Sequence, residues 1–261
     1  MPFAPINGIQ LYYEVQGKGP PLVFAHGSGG NHLSWWQQVP FFSRHYKCIT
    51  FDHRSFGLSQ DNRESEGRRA FADDLKGLLD HLGIDQVAIV AHSMGVRTGV
   101  GFTMRNPGRV KGLVLSGSNG GAVNEETYRA RGQRQESAQP PQEGTLRALS
   151  PDFAAQHPEM AFLYRQIMQL NPSHPRDFLA APPGFRGSTH ERLVAAGAPI
   201  LYILGEEDAL ALHRGIEIAA SLIPKARLVR LPDAGHSVYF EQPERFNQVV
   251  FSFLMEVYPP E

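Results

Sequence analysis

The stretch that decides the reading is Val87-Ala88-Ile89-Val90-Ala91-His92-Ser93-Met94-Gly95-Val96. Its apolar start reads as a buried strand. The small-residue run from Val96 to Phe102 reads as a helix reaching about Asn106, where Pro107-Gly108 stops it. Ser93 therefore sits on a sharp strand-to-helix turn, with Ala91 two positions before it and Gly95 two after. That is the pattern of a nucleophile elbow. The flanks are small because the serine is held in a strained conformation, and a bulkier neighbour would collide with the turn. The hydroxyl also falls near a helix N-terminus, where amides and the helix dipole favour an anion. Many serines simply cap helices, so the motif gains meaning only from the rest of the chain.

Outward from the elbow, apolar runs alternate with helical spacing. Ile9–Val15 reads as a first strand, followed by Pro21–Ala25 and Cys48–Phe51. Arg68–Leu82 carries Phe71, Leu75, Leu78, Leu79 and Leu82 at helical spacing, with Gly83 as a stop. Val110–Ser116, Pro199–Leu204 and Ala226–Leu231 repeat the strand pattern, and Pro243–Val257 reads as a last helix. Continuous Val/Ile/Leu strands between helices predict an α/β fold, with a mostly parallel sheet covered on both faces. From about Asn119 to Ala196 the strands stop. This segment is polar and proline-rich over Glu125–Gln142. It is then helical around Phe153, Met160, Phe162, Leu163, Tyr164, Ile167, Met168 and Leu170. The expected organisation is a core of residues 1–118 and 197–261 with a helical cap inserted at 119–196. The Met/aromatic stripe of the cap either packs on the core or lines a pocket, and both readings stay open.

Composition narrows the classes. A chain of 261 residues accommodates one large domain. A formal net charge of -1 gives no basis for binding nucleic acid or an anionic membrane. The single cysteine, Cys48, forbids an internal disulfide and reads as a core residue. Met1–Gln10 has neither the basic start nor the apolar run of a secretory signal, and no stretch reaches membrane-span length. The expectation is a cytoplasmic monomer or homodimer acting on a small molecule, with no nucleic acid, membrane, cofactor or metal as partner.

A serine hydroxyl needs a neighbouring base, itself oriented by a third group. Asp208 ends Pro199-Ile200-Leu201-Tyr202-Ile203-Leu204-Gly205-Glu206-Glu207-Asp208, a strand running into an acidic turn. His236 lies in Leu231-Pro232-Asp233-Ala234-Gly235-His236-Ser237, also just past a strand. The order serine, acid, histidine is that of a Ser-His-Asp triad on an α/β sheet. Glu206 and Glu207 compete with Asp208 and rank behind it. No acid ends the earlier strand Val110–Ser116. Among the 11 histidines, His26 and His92 read as structural groups around the turns. His81 falls at a helix end, and His157, His174 and His190 fall in the cap. An oxyanion hole needs two amides. One is the N–H of Met94, directly after the nucleophile, and the other the N–H of Ser28 in His26-Gly27-Ser28-Gly29-Gly30. The glycines there allow close backbone approach. The lysine and hydroxyl residue of a phosphate loop are missing.

Taken together the chain resembles the α/β-hydrolase superfamily, in its serine-hydrolase branch. The resemblance rests on His26-Gly27-Ser28-Gly29-Gly30, Asp52-His53-Arg54-Ser55-Phe56-Gly57-Leu58-Ser59, Ala91-His92-Ser93-Met94-Gly95, Gly205-Glu206-Glu207-Asp208, and Gly235-His236 followed by Glu241-Gln242-Pro243-Glu244. It implies an eight-stranded, mostly parallel sheet with the cap between the sixth and seventh strands. Two positions depart from the pattern: Ser55 and Val96 stand where the family usually has glycine. The first is expected to strain a turn and the second to narrow the site. Ser93 argues against epoxide opening and dehalogenation, which use aspartate there. Carbon–carbon bond hydrolases of the family tend to carry asparagine before the serine and tryptophan after the histidine, where this chain has His92 and Ser237.

The similarity is strongest to small esterases and enol-lactonases, which implies hydrolysis of an ester or lactone. The alternatives are a slow-turnover small-molecule sensor, cofactor-free haloperoxidase-like perhydrolysis, and carbon–carbon bond hydrolysis. A sensor would present Arg129, Arg131 and Arg134 to a protein partner, although charge runs are usually solvated faces. Candidate pocket residues are Trp35 and Trp36, which either wall the entrance or pack in the core, with Phe153, Met168 and Phe178 from the cap. Arg165 is a candidate partner for a substrate carboxylate.

Overall fold

The computed structural model describes residues 2–61, 67–120, 122–127, 129–130, 146–173, 178–179 and 188–260. Its strands are β1 (Phe3–Ile6), β2 (Ile9–Gln16), β3 (Pro21–Ala25), β4 (Lys47–Phe51), β5 (Val87–His92), β6 (Val110–Ser116), β7 (Ala122–Val123), β8 (Ser188–Thr189), β9 (Ile200–Gly205) and β10 (Arg227–Leu231). Eight of them form one sheet in the order β1-β2-β4-β3-β5-β6-β9-β10. The β1/β2 and β2/β4 pairs are antiparallel; the other pairs of this sheet are parallel.

The pattern of β5 shows why the strands read as continuous apolar runs. Val87, Ile89 and Ala91 belong to one core cluster, Ala88 and Val90 to the other. Successive side chains point to opposite faces, and both faces are covered. One cluster holds Leu75, Leu78 and Leu79 of the helix Phe71–His81, and Val96, Val100 and Phe102 of the helix Met94–Arg105. The other holds Phe246, Val250, Phe253 and Leu254 of the helix Pro243–Val257. Each fully buried aliphatic or aromatic side chain contributes roughly 1.5–3 kcal/mol. The helix Phe71–His81 carries Asp73 and Asp74 in its first turn, matching the helix dipole. It ends before Gly83, whose φ of +64° is the left-handed stop that glycine favours.

The structure departs from the sequence expectations in four places. A strand, β1, precedes Ile9–Val15 and pairs with it as a hairpin through Asn7-Gly8. The helix Phe71–His81 starts with its apolar spacing at Phe71, three residues after the expected Arg68, and follows a 3₁₀ turn over Gly67–Arg69. The helix His213–Leu222, burying Gly215, Ile216, Ile218 and Ala219, is not among the expected elements: its N-cap Leu212 makes no side-chain cap, although Pro224 marks its end. The strands do not wholly stop after residue 119, because β7 and β8 form a short parallel pair. Most of the polar stretch Glu125–Gln142, with Arg131 and Arg134, and His174 as well, lies outside the described residues.

Between β6 and β9 the helices Pro151–Gln156 and Pro158–Gln169 are in place. The second buries Ala161, Tyr164 and Ile167 in the same cluster as Phe24, Trp35 and Phe240. The cap stripe therefore divides. These three residues pack on the core, while Phe162 and Leu170 are more than half exposed. Cys48 is buried, and burial pushes its thiol up to about 12.

Candidate active site

Ser93 takes φ 51° and ψ -111° between β5 and the helix Met94–Arg105, a conformation that L-residues rarely adopt. The surroundings enforce it. Its N–H donates to the Ser116 carbonyl at 2.8 Å, continuing the β5/β6 pairing that ends at His92 and Ser116. At Gly95 an added Cβ would stand 2.3 Å from the Ala25 carbonyl oxygen and 2.7 Å from that of His26. Glycine is needed because the end of β3 runs directly beneath the helix start.

The structure brings Ser93, His236 and Asp208 together. His236 Nδ1 lies 2.7 Å from Asp208 Oδ2, and Nε2 lies 2.8 Å from Ser93 Oγ. The carboxylate can only accept, so Nδ1 donates and Nε2 keeps its lone pair for the Ser93 O–H. Asp208 Oδ1 accepts the amides of Leu210 and Ala211 at 2.7 Å each. Burial raises the Asp208 carboxyl, but the hydrogen bond and charge of His236 and these two amides outweigh it, so it is held below its ordinary value. Glu206 and Glu207 are exposed and their side chains make none of these contacts.

His92 packs against the base, with ring centroids 4.7 Å apart, and against Tyr239 at 4.9 Å. Burial first, then the charge on His236, holds the His92 imidazole well below its ordinary value. A neutral ring beside the base does not oppose imidazolium formation there.

Met94 opens its helix, so its N–H has no carbonyl one turn back within that helix. On the opposite side runs the Gly27–Gly30 turn. A Cβ at Gly27 would approach Ser93 Cβ to 3.2 Å, so this loop crosses over the nucleophile. The Gly27 carbonyl accepts from His26 Nδ1 at 2.8 Å and from the Gly30 N–H at 3.0 Å. A trans peptide is planar, so pinning that oxygen sends the Ser28 N–H the opposite way. His26 Nε2 in turn accepts the His53 N–H at 3.0 Å, and burial keeps both rings below their ordinary values.

The two departures from the family pattern resolve differently. Ser55 has φ +65°, so the turn is strained as expected, and its hydroxyl donates to Asp61 at 2.8 Å. Val96 is fully buried in the core cluster, facing Gly120 and not a pocket.

Of the pocket candidates, Trp35 takes the core reading. It is 1% exposed between Phe24 and Tyr239, so it walls no entrance. Trp36 is 42% exposed on the turn of the same short helical segment. Phe153 packs against His157 and Phe240, and Phe178 against Phe56 and Phe71. Of these candidates Met168 reaches the Gly27–Gly30 turn, its Cε 3.3 Å from where a Cβ on Gly29 would be. Arg129 and Arg165 are exposed. His81 packs on Tyr13, and His157 and His190 sit at helix starts.

Sequence reasoning passed over Asn171 and gave no role in the site to Glu241, Ser237 or Tyr164, although it named all three. Asn171 donates to the Gly29 carbonyl at 3.3 Å and accepts the Gly57 N–H at 2.9 Å, joining the cap to the oxyanion loop. The signals present were the Glu241-Gln242-Pro243-Glu244 string, the apolar stripe that holds Tyr164 and the place of Ser237 after the histidine, and none of them pointed to these contacts.

No group of three or more His, Cys, Asp or Glu side chains among the described residues is arranged to hold a metal ion. No helix of the described residues is long and apolar enough to cross a membrane.

Comparison with known proteins identifies the family and the fold. A 2-hydroxymuconate semialdehyde hydrolase from Pseudomonas sp. (strain CF600) is 29% identical, over 95% of this chain and 92% of that protein. A solved N-acyl homoserine lactone degrading enzyme superposes with a TM-score of 0.79 at 27% identity, covering 97% of this chain and all of that one. A thermophilic esterase from Thermogutta terrifontis gives 0.77 at 29% identity, covering 96% and 94%. The family model for the alpha/beta hydrolase fold matches residues 20–243, and the chain belongs to that family.

Proposed function

We propose that this chain is a serine hydrolase that cleaves a carboxylic ester or lactone of a small, partly apolar substrate through an acyl-enzyme. The observation that carries the reading is the continuous relay from Asp208 Oδ2 through His236 to Ser93 Oγ, at 2.7 and 2.8 Å, on a strained elbow. His236 Nε2 takes the Ser93 proton as Oγ attacks the carbonyl carbon. Asp208 holds the ring in the required tautomer and stabilises the imidazolium. The Met94 and Ser28 amides receive the negative oxygen of the tetrahedral intermediate. His236 then protonates the leaving alkoxide. It next removes a proton from water, which attacks the acyl carbon; as the C–Oγ bond breaks and the acid leaves, His236 returns that proton to Ser93 Oγ. Met168 beside Gly29 supports an apolar group near the reacting carbonyl. The lactone-degrading and esterase relatives support the substrate class.

The test is reaction with a fluorophosphonate, read by intact mass, followed by an ester and lactone panel. One adduct on the wild type and none on Ser93→Ala is expected, with kcat falling by a factor on the order of 10⁴ or more in the variant. A folded wild type that takes no adduct refutes the acyl-enzyme reading and favours a sensor.

A second reading, carbon–carbon bond hydrolysis of a meta-cleavage product, is favoured by the 2-hydroxymuconate semialdehyde hydrolase relative. His92 and Ser237 weigh against it, and turnover of such a product faster than of any ester would establish it.

A further inference from the structure

Outside the relay, the carboxylate of Glu241 joins two segments of the fold. Glu241 ends the short helix Val238–Glu241 that follows the base, and its side chain is buried. Its Oε2 accepts two amides at 3.0 Å: that of Gly235, next to the base, and that of Ser150, in the insertion between β6 and β9. The segment around Ser150 presses directly on the histidine loop. A Cβ at Gly235 would stand 2.5 Å from Ser150 N and 2.8 Å from the Leu149 carbonyl carbon. On the other side of the base, the Ser237 N–H donates to the Ala148 carbonyl at 2.8 Å, and Tyr164 and Ser237 share a hydroxyl hydrogen bond of 2.9 Å.

The backbone on both sides of His236 is thus held by Ala148–Ser150, with Glu241 as the bridge on one side. Among the described residues the ring has two side-chain hydrogen-bond partners, Asp208 and Ser93, and packs against His92. Its reach to Oγ therefore depends on where residues 235–237 sit, and an error of about 1 Å there costs on the order of 100-fold in rate. Resting on the reading of His236 as the base, we propose that Glu241 is a positioning residue. Its carboxylate ties the Ala148–Ser150 segment to the histidine loop, so that seating the cap and placing the base are one event.

The test compares Glu241→Ala, Glu241→Gln and Glu241→Asp with the wild type. Fluorophosphonate titration counts competent serines, and kcat on a short-chain p-nitrophenyl ester is expressed per titrated site, so loss of folded protein does not count as loss of rate. Glu241→Ala is expected to lower kcat per site by about 10- to 100-fold with little change in KM. It should also displace the far-downfield proton resonance of the His236–Asp208 hydrogen bond. Glu241→Gln keeps an oxygen where both amides point, and should recover most of the rate and the resonance. If Glu241→Ala does not fold, Glu241→Asp, with the acceptor withdrawn by one methylene, should show the partial loss. Rate per site and resonance unchanged in the folded variants would overturn the proposal, as would a Gln variant no better than Ala. A wild type without adduct or turnover refutes the hydrolase reading instead; the resonance still tests the positioning.

Discussion

Replacing Ser93 by alanine and by glycine separates the strain of the elbow from the chemistry of its hydroxyl. Both variants lose the hydrogen bond to His236 Nε2, so that loss cancels between them. What differs is the cost of holding a Cβ at φ 51° and ψ -111°. A residue in so sparsely populated a region costs about 1–3 kcal/mol, and glycine escapes that cost. Glycine also loses about 0.5–1 kcal/mol more backbone entropy on folding than alanine. The difference leaves Ser93→Gly more stable than Ser93→Ala by about 1 kcal/mol at the centre of these ranges, and by at most about 2.5 kcal/mol. For a chain of this size each kcal/mol moves Tm by roughly 2–4 °C, so the glycine variant should melt on the order of 2–4 °C higher. Differential scanning calorimetry of the two proteins at neutral pH is the assay, and neither should turn over an ester. A glycine variant that melts at or below the alanine variant would show that the elbow stores no strain, and the account of why Ala91 and Gly95 are small would fail with it.

Three further outcomes follow from the same geometry. Gly95→Ala forces a Cβ against the Ala25 and His26 backbone at 2.3–2.7 Å; the cost should reach the upper end of overpacking, about 3 kcal/mol, and an unchanged Tm would contradict it. Asp208→Asn should lower kcat by on the order of 10³–10⁴ by permitting the wrong tautomer of His236. Because the Asp208 carboxyl is held below its ordinary value, the stability it contributes is full above about pH 3.9 and is lost as pH falls through the lower folded value. The Asn variant should therefore show a flatter acid limb of Tm against pH. His26→Ala removes the side-chain donor that pins the Gly27 carbonyl, leaving the Gly30 N–H alone to hold that peptide, so the Ser28 N–H is less firmly aimed. Its kcat per titrated serine should fall toward the 10²–10³ that loss of one oxyanion donor costs, and an unchanged value would refute the pinning of that peptide.

Legibility in the sequence followed from how local each cause is. The elbow was readable because its requirement for small residues acts within five positions, Ala91 to Gly95. The central strands were readable because both faces are buried, which makes their apolar runs continuous. β1 was missed because Phe3–Ile6 is short and alternately exposed at the sheet edge. Trp35 and Trp36 are adjacent in sequence, yet one is enclosed by Phe24 and Tyr239 and the other faces solvent. Nothing local separates them.

The sequence by itself determined the α/β fold, the order Ser93, Asp208, His236 along the chain, and the glycine-bearing turns at Gly27 and Gly95, since each rests on residue types within one turn or strand. Only the tertiary structure decided that Glu241 and Ala148–Ser150 hold the histidine loop, and that Asn171 and Met168 lie against Gly29. Those contacts join residues from 6 to 142 positions apart. The long-range ones form only after the sheet has brought the strand ends together, because a hydrogen bond between distant residues leaves no periodicity in the chain that makes it.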